Sequence, residues 1–415
     1  MALLILVFFL SLVAIGYVVQ SLDSASIKNA RDKKTASVLA EAKAALIGWS
    51  VARGVSGTAR PGEMPCPDND APSTFGYGYE DGTCVAGKVG RLPWKTLGID
   101  EIRDGYGEPL WYAIDGAFRR RTGVAPSTNQ PINSDTRAAL LVYAADGVTK
   151  ISPPGNEAVA LIFSAGLPIG GKTRSPVNSV VCPATGTNIL ENRCASNYLE
   201  SANGKNNAVN NGPYIAGYKT STFNDQLIFI TTTELMTVVE KLVGKQVQAI
   251  LQDYKAVNGY YPYPAKYDAA GCVDVGNTGY FTNCQSDSSL CRGRFPDNAI
   301  TLVPTNTPNW TLTNTLPLWF SYNLWGQTIY YSAGDNSLNA PVGCTPQLTV
   351  DLGNVNGLFF MPSTPIGNIV RNSPAQSITL SDYLDNPENQ DGWVVANDVY
   401  ITPALASKDK IYTLP

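Results

Sequence analysis

The pattern of apolar and polar residues separates a long N-terminal helix from a strand-rich remainder. Residues 1–19 are almost wholly apolar, and the first charge is Asp23. A run of this length matches the roughly 20 residues that span the core of a bilayer. It continues without a break into an amphipathic segment in which Leu39 and Leu46 recur at helical spacing. The pattern predicts one helix from about Met1 to Arg53, with a second half that packs on a globular domain.

The remainder of the chain holds two series of similar segments in the same order. The first series reads AALIGWSVARG, RPGEMPCP, GRLPW and DGYGEPLWYAIDG, and the second reads QAILQDYKAVNG, YYPYP, GRFPD and YNLWGQTIYYSAG. Further along, VALIFSAGLPIGGKTRSP matches GLFFMPSTPIGNIVRNSP, NYLESANGKNN matches DYLDNPENQDG, and NDQLIFIT matches NDVYIT. Matching blocks that keep one order indicate a duplication, with copies at about residues 36–230 and 231–415.

The second copy begins with a helix of its own. Thr231 and Glu234 form a T-x-x-E capping box, and Asn258-Gly259 marks the end of the helix. The apolar stripe of this helix consists of Leu235, Val238 or Val239, Leu242, Val247, Ile250 or Leu251, and Tyr254. Apolar runs between Gly, Pro and Asn turns follow each helix and predict strands: LWYAI, LLVYAA, ALIFSA, LIFITT, TIYYSA, LFFMP and DVYITP.

These elements predict an α+β fold. A long helix occupies residues 1–54, with an apolar first part at 1–23. Two tandem units follow, at 36–230 and 231–415, and each combines a helix with an antiparallel sheet.

Charge and composition exclude several classes of function. The net charge is −4 and charged residues make up 15% of the chain, so the sequence offers no basic face for nucleic acid. It has no histidine and no C-x-x-C-H, which removes the commonest general base, the commonest metal ligand and c-type haem attachment. A hydrolase with two carboxylates needs no histidine, but no acid pair stands out from turn residues. We therefore expect no enzyme, no catalytic residue and no bound cofactor.

The cysteine content predicts disulfides. Eight cysteines spread through Gly- and Asn-rich loops indicate an oxidising compartment, and unpaired thiols of a cytosolic protein are the alternative. Proximity in the sequence favours the pairs Cys66–Cys84 and Cys182–Cys194. The other four can pair among themselves in three ways: Cys272, Cys284, Cys291 and Cys344.

Acidic loop residues suggest candidate calcium ligands. Asp68, Asp70 and Asp81 provide carboxylate oxygens, which calcium binds. The spacing D-x-[DN]-x-[DN]-G is missing, so solvated turn residues are the preferred interpretation.

The charges after the apolar run bear on topology. Lys28, Arg31, Lys33 and Lys34 would hold the C-terminal side in the cytoplasm by the positive-inside rule. Disulfides require the opposite side of the membrane. The two expectations agree if a short basic leader once preceded Met1 and has been removed.

A processed apolar helix that continues as an amphipathic helix into a globular domain resembles type IV pilins and type II secretion pseudopilins. Asn258–Pro262 and Trp325–Tyr330 resemble the globular unit of major pseudopilins, and Gly105–Tyr112 is the counterpart in copy one. The resemblance implies cleavage by a prepilin peptidase and methylation of Met1. It also implies that the helix packs into a filament core through Leu3, Leu4, Ile5, Leu6, Val7, Phe8, Phe9, Leu10, Leu12, Val13 and Ile15.

The function implied by the resemblance is that of a structural subunit of an extracellular type IV pilus-like filament. Its partners would be copies of itself or related pilins, the inner membrane before assembly and the assembly machinery, and some members of the family bind calcium. The subunit would begin as an inner-membrane precursor with a periplasmic domain and end in an extracellular filament or a periplasmic pseudopilus.

Two alternatives remain open. The family usually has glutamate as its fifth mature residue, where this chain has Ile5. That difference and the large size favour a minor or tip pseudopilin. The second alternative is a membrane-anchored binding module or adhesin.

Overall fold

The computed structural model describes most of the chain, which we divide into an N-terminal half (residues 36–230) and a C-terminal half (residues 231–415). The described residues are 2–53, 60–69, 76–82, 87–120, 131–172, 174, 179–181, 188–190, 194–266, 273–274, 281–282, 284, 286–296, 316–317, 319–320, 323–339, 343–365, 371, 379–394, 398–402 and 409–415.

Five α-helices lie in the described part: α1 (Ala2–Ala52), α2 (Trp94–Leu97), α3 (Thr232–Asn258), α4 (Trp325–Thr328) and α5 (Pro387–Val394). The start of α3 is a capping box, because the Thr231 hydroxyl accepts from the Glu234 N–H at 3.2 Å and the Glu234 carboxylate accepts from the Thr231 N–H at 3.0 Å. The helix ends before Gly259, whose φ of 82° suits glycine. Both predicted ends of α3 are confirmed.

The first sheet belongs to the N-terminal half and has four antiparallel strands in the order β1-β2-β4-β10. They are β1 (Val89–Arg91), β2 (Leu110–Ile114), β4 (Ala158–Ser164) and β10 (Gln226–Thr231). The aromatic and aliphatic residues of these runs favour strands, and β2 and β4 are buried along their whole length.

The second sheet belongs to the C-terminal half and also has four antiparallel strands, in the order β13-β14-β17-β19. They are β13 (Arg292–Arg294), β14 (Tyr330–Ala333), β17 (Gly357–Met361) and β19 (Lys410–Leu414). In both sheets a Gly-Arg edge strand is followed by an aromatic strand, a long buried strand and a late strand on the other edge.

Smaller sheets flank the two large ones. β3 (Val142–Ala144) pairs in parallel with β9 (Tyr214–Ala216), and β15 (Leu348–Val350) pairs in parallel with β18 (Val399–Tyr400). β15 also forms a hairpin with β16 (Gly353–Val355). Two-stranded antiparallel ribbons complete the set: β5 (Ser179–Val181) with β6 (Asn188–Leu190), β7 (Ser201–Ala202) with β8 (Lys205–Asn206), and β11 (Val273–Asp274) with β12 (Phe281–Thr282).

The strand pairing corrects one match made from the sequence. NDQLIFIT contains β10, an edge strand of the first sheet, whereas NDVYIT contains β18, which lies outside the second sheet. The place of β10 in the second sheet is taken by β19. The counterpart of β18 is β9, since each pairs in parallel with the short strand that precedes the long buried strand.

One core cluster joins the two long helices, α1 and α3, and both large sheets. Leu39 and Leu46 of α1, Val239 and Val247 of α3, and Phe359 of β17 are all buried in it. In α3 the stripe predicted from the sequence is buried except for Val238, which is 40% exposed, and Leu242, which is half-buried. The two halves therefore share one hydrophobic core.

The fold is mixed α and β with antiparallel main sheets and a disulfide between Cys291 and Cys344, in agreement with the predicted α+β class. Over the part of the chain whose side chains the structure describes, from Ala25 onward, no helix has the length and apolar content needed to cross a membrane.

Candidate functional site

An arginine in the N-terminal half binds the backbone of two separate segments. The guanidinium of Arg174 donates to the carbonyl oxygens of Gly166 (2.8 Å), Asn197 (3.3 Å) and Tyr198 (3.3 Å). It also lies over the ring of Tyr198, 4.6 Å from the centroid. The Glu108 carboxylate lies 2.9 Å from the Arg174 Nη1 and balances the charge. We call this arrangement the arginine clasp.

The same clasp occurs in the C-terminal half around Arg371. Its guanidinium donates to the carbonyl oxygens of Ser363 (2.8 Å) and Asp382, and lies 4.4 Å from the centroid of the Tyr383 ring. The balancing acid differs in origin, because Asp135 comes from the N-terminal half and lies 3.5 Å from the Arg371 Nη1. Sequence reasoning singled out neither arginine, although both stand inside the matched segments that end in TRSP and VRNSP.

Each clasp lies beside four aromatic rings that pack in two pairs. In the N-terminal half the ring centroids are 4.9 Å apart for Trp111–Tyr198 and 5.5 Å apart for Phe163–Tyr214. In the C-terminal half the corresponding distances are 5.7 Å for Tyr330–Tyr383 and 6.0 Å for Phe360–Tyr400. All eight rings are at most 4% exposed, so they pack the core and offer no stacking platform to a ligand.

A buried carboxylate stands directly before the last strand of each large sheet. Asp225 accepts from the Glu200 N–H (2.8 Å) and the Asn207 amide (3.0 Å), and Asp409 accepts from the Asp385 N–H (2.6 Å). Burial raises the pKa of Asp225 well above its ordinary value, and the Glu200 carboxylate raises it further. Burial also raises the pKa of Asp409 to about 7. Both acids accept hydrogen bonds that hold the start of a strand in place, and no sequence pattern predicted either role.

The repeated G-R-[Leu/Phe]-P motif marks a place where two backbone segments lie close together. Asp68 exchanges two backbone hydrogen bonds with Arg91 at 2.8 and 2.9 Å, and Ala265 does the same with Arg294. A Cβ at Gly90, beside Arg91, would lie 2.8 Å from the Asp68 carbonyl oxygen. At Gly293, beside Arg294, it would collide with the Ala265 carbonyl oxygen. Glycine is required at both positions because there is no room for a side chain.

The candidate calcium ligands lie in separate polar contacts. The Asp68 Oδ2 accepts from the Gly78 N–H at 2.9 Å and lies 3.4 Å from the Arg91 Nη2. The Asp81 carboxylate lies 3.3 Å from the Lys88 Nζ. Asp70 lies outside the described residues. Calcium binding therefore stays a prediction, and two of its three proposed ligands already bind cationic side chains.

The described cysteines are all disulfide-bonded. Cys291 pairs with Cys344, one of the three arrangements left open for the last four cysteines, and Cys66, Cys194 and Cys284 are bonded as well. Cys84, Cys182 and Cys272 lie outside the described residues, so the pairs Cys66–Cys84 and Cys182–Cys194 stay predictions.

One group of metal-ligand type includes the Cys291–Cys344 disulfide. Asp335 lies beside it, with a carboxylate oxygen 3.5 Å from the Cys291 Sγ. Zinc needs thiolate sulfur, and both sulfurs here are used in the covalent bond. The donor set therefore does not fit a metal while the disulfide is intact.

Most residues for which we made predictions at the N-terminus have side chains that the structure does not describe. Met1 itself is not described. Residues 3–15, predicted to form a filament core, lie within α1, but the structure describes the side chains of α1 only from Ala25 onward.

Comparison with models of protein families, with curated proteins and with solved structures finds no match.

Proposed function

We propose that this protein is a non-catalytic structural subunit of a type IV pilin-like filament and that it assembles through its N-terminal helix. The observation that carries the proposal is the unequal packing of α1. This helix covers 51 residues, roughly 77 Å at 1.5 Å per residue. Leu39, Ala42 and Leu46 are buried against the globular part, whereas residues 25–31 are exposed. An apolar run that precedes an exposed helical stretch needs lipid or similar helices to cover it.

A second part of the proposal is that the globular region is a duplicated pilin-like unit. The two large sheets have matching strand successions, and the arginine clasp, the aromatic pairs and the carboxylate before the last strand occur in both halves. A side-chain amide clamp is also repeated: Asn207 exchanges two hydrogen bonds with the backbone of Ile215, and Asn389 does so with Ile401. Contacts that depend on distant residues seldom recur in one order unless the segments share an origin.

The proposed site of action is the periplasm followed by the cell exterior, with an inner-membrane precursor. Bonded cysteines support this compartment, because disulfides persist in oxidising surroundings. A non-catalytic role is supported by the buried acids. Backbone N–H groups donate hydrogen bonds to Asp104, Asp115 and Asp225, so these carboxylates have a structural role.

A minor or tip pseudopilin is the second candidate. Ile5 favours it, because the usual glutamate at that position neutralises the N-terminal amine of a neighbouring subunit in the resembling family. A minor subunit that caps a filament would have no neighbour beyond it and would not need that acid.

Immuno-electron microscopy of sheared surface material distinguishes these candidates. Antibody against residues 231–415 should label filaments along their whole length if the chain is the main subunit, and only at their ends if it is a tip subunit. Protein that stays in the membrane fraction, with no labelled filament, would contradict the main-subunit proposal and favour an anchored binding module or a short periplasmic pseudopilus.

A pair of variants tests the role of the helix. Phe9→Asp places a charge in the apolar run and should abolish filaments, since a charge inside a helical core is costly. The control is Leu352→Asp, which makes the same kind of change at a fully exposed position of the β15–β16 hairpin. Filaments built from Phe9→Asp protein would contradict assembly through α1.

A further inference from the structure

The point at which α1 leaves the globular part is surrounded by a basic and partly apolar surface. Thr35 is buried, and its hydroxyl accepts from the Gly105 N–H at 3.0 Å, whereas nearly all residues from Ala25 to Lys34 are exposed. Arg31 lies over the Tyr106 ring at 5.3 Å, which holds the helix against the turn that contains Gly105 and Tyr106. The helix therefore emerges at Arg31–Thr35, and the surface there is the part of the globular region nearest to the apolar run.

The charges at this exit are mostly unbalanced. Asp32, the one acid between Ala25 and Lys34, is ion-paired with Lys219 at 2.5 Å. Lys28, Lys33 and Lys34 are exposed and have no ion pair with any residue that the structure describes. Three free ammonium groups on a chain with a net charge of −4 make the exit locally basic.

Two exposed apolar side chains accompany these lysines. Tyr218, next to Lys219 in the chain, is 82% exposed, and Ile27 on α1 is 53% exposed. Exposed tyrosine beside lysine is typical of positions at the level of lipid headgroups, where an amphipathic ring and a long cationic side chain both fit. We define the exit collar as Ile27, Lys28, Lys33, Lys34, Tyr218 and Lys219.

We propose that the exit collar binds the headgroups of anionic phospholipid, with phosphatidylglycerol as the type, while the apolar run of α1 is inserted in the bilayer. The proposal rests on the membrane-inserted precursor of the proposed function and adds its lipid partner. Lys28 follows Ser21 by seven residues, roughly 10 Å along the helix axis, which is within about one Debye length of the edge of a bilayer core that ends near Ser21. The positive-inside rule disfavours basic side chains on the translocated side of a membrane. Headgroup binding would explain why this chain has lysines there.

The test uses the full chain reconstituted in phosphatidylcholine bilayers with trace spin-labelled phosphatidylglycerol or phosphatidylcholine. The ratio of the motion-restricted fractions measures the preference for the anionic lipid. A lysine near an anionic surface contributes about fivefold, so Lys28 alone should give a preference of about fivefold. Lys33 and Lys34 lie roughly 18–20 Å from Ser21 along the helix axis and should raise the preference further, each by less than fivefold. Raising the salt from about 0.05 M to about 0.5 M should remove most of that preference, because the collar is exposed.

Matched variants separate the collar from general charge. Lys28→Gln/Lys33→Gln/Lys34→Gln should lower the preference nearly to one. The control Lys150→Gln/Lys241→Gln/Lys245→Gln removes the same charge from exposed positions elsewhere and should leave the preference unchanged.

The remaining outcomes distinguish failure of the collar from failure of the proposed function. A chain that inserts but shows equal affinity for both lipids overturns the collar proposal alone. A collar variant that keeps the lipid preference but no longer associates with other copies assigns the collar to a protein contact and also overturns it. A chain that does not float with any bilayer overturns the membrane-inserted precursor itself.

Discussion

Asp135 of the N-terminal half balances Arg371 of the C-terminal half, with 3.5 Å between the Oδ1 and the Nη1. The same carboxylate accepts from the Tyr383 hydroxyl at 2.9 Å. In the N-terminal half the equivalent arginine, Arg174, is paired with an acid of the same half, Glu108. Alignment of Tyr106-Gly107-Glu108 with Trp325-Gly326-Gln327 places a neutral amide at the corresponding position of the C-terminal half. The second clasp thus depends on an acid from the first half, which couples the two.

We predict that Asp135→Asn lowers the free energy of unfolding of the C-terminal half by about 2 kcal/mol, because it leaves the buried Arg371 guanidinium without a counter-charge. The Arg371 side chain is 2% exposed and that of Asp135 is 21% exposed, so the loss should be smaller than for a fully buried pair. Urea unfolding, followed by hydrogen exchange of the β14 and β17 amides, measures the effect.

A second substitution should rescue this variant. Gln327→Glu in the Asp135→Asn background supplies a local acid, as Glu108 does for Arg174, and should restore at least half of the lost free energy. Glu108→Gln should instead weaken exchange protection in the first sheet only. If Asp135→Asn left both sheets unchanged, the coupling between the halves would be disproved.

Gly293→Ala should destabilise the second sheet by about 2 kcal/mol or more, since the added methyl group collides with the Ala265 carbonyl oxygen and the edge pairing must shift. The control is Gly353→Ala in the exposed strand β16, where the nearest atom to a new Cβ is 3.7 Å away. The midpoints of urea unfolding compare the two variants. Equal midpoints for both would show that the edge of the second sheet is not tightly packed.

Stability should depend on pH through Asp409. Burial raises the pKa of Asp409 from its ordinary value of 3.8 to about 7, so folding favours the protonated form. This contribution is complete below about pH 4 and is lost as the pH rises to about 7. Asp409→Asn resembles the protonated acid and retains an oxygen for the Asp385 N–H. The difference in melting temperature between the variant and the wild type should therefore grow in favour of the variant from about pH 4.5 to pH 8.

Asp146 provides a control of opposite sign. Hydrogen bonds from the Thr149 hydroxyl and from the N–H groups of Val148 and Thr149 lower the pKa of this exposed acid. The contribution of Asp146 to stability is present above its pKa in the unfolded chain and is lost as the pH falls. Asp146→Asn should therefore lower the melting temperature less at acid pH than at neutral pH.

A difference in melting temperature between Asp409→Asn and the wild type that does not change with pH would show that Asp409 is ionised in the folded protein at neutral pH.

The disulfide between Cys291 and Cys344 should stabilise the C-terminal half strongly. It joins residues 53 apart, and loop closure of that length corresponds to about 4 kcal/mol in the unfolded-chain model. The double variant Cys291→Ser/Cys344→Ser should therefore unfold at lower urea concentration than the wild type. Peptide mapping without reduction should recover one peptide that contains both cysteines, and recovery of either one bonded to Cys272 or Cys284 would contradict this pairing.

Local patterns were sufficient to predict individual elements. The Thr231–Glu234 capping box and the Asn258-Gly259 end fix α3, because both depend on residues within one helical turn. The runs LWYAI and LFFMP predict β2 and β17, because their aromatic and aliphatic side chains suit a buried pleated surface. Glu240 shows the limit of such patterns: it is a polar residue in α3 that is 1% exposed, and its carboxylate binds Lys410 at 3.2 Å and Ser363 at 3.1 Å.

The amino-acid sequence by itself determined the class of fold, the order of its elements and the presence of two similar series of segments. Only the tertiary structure decided that β19 and not β18 completes the second sheet, that Cys291 pairs with Cys344, and that Asp135 serves the clasp of the other half. Helix caps and strand propensities act between residues that are close in the sequence, so they can be read along the chain. Strand partners, disulfides and counter-charges join residues that are far apart, and their choice depends on which packing buries the most apolar surface without leaving a charge unpaired.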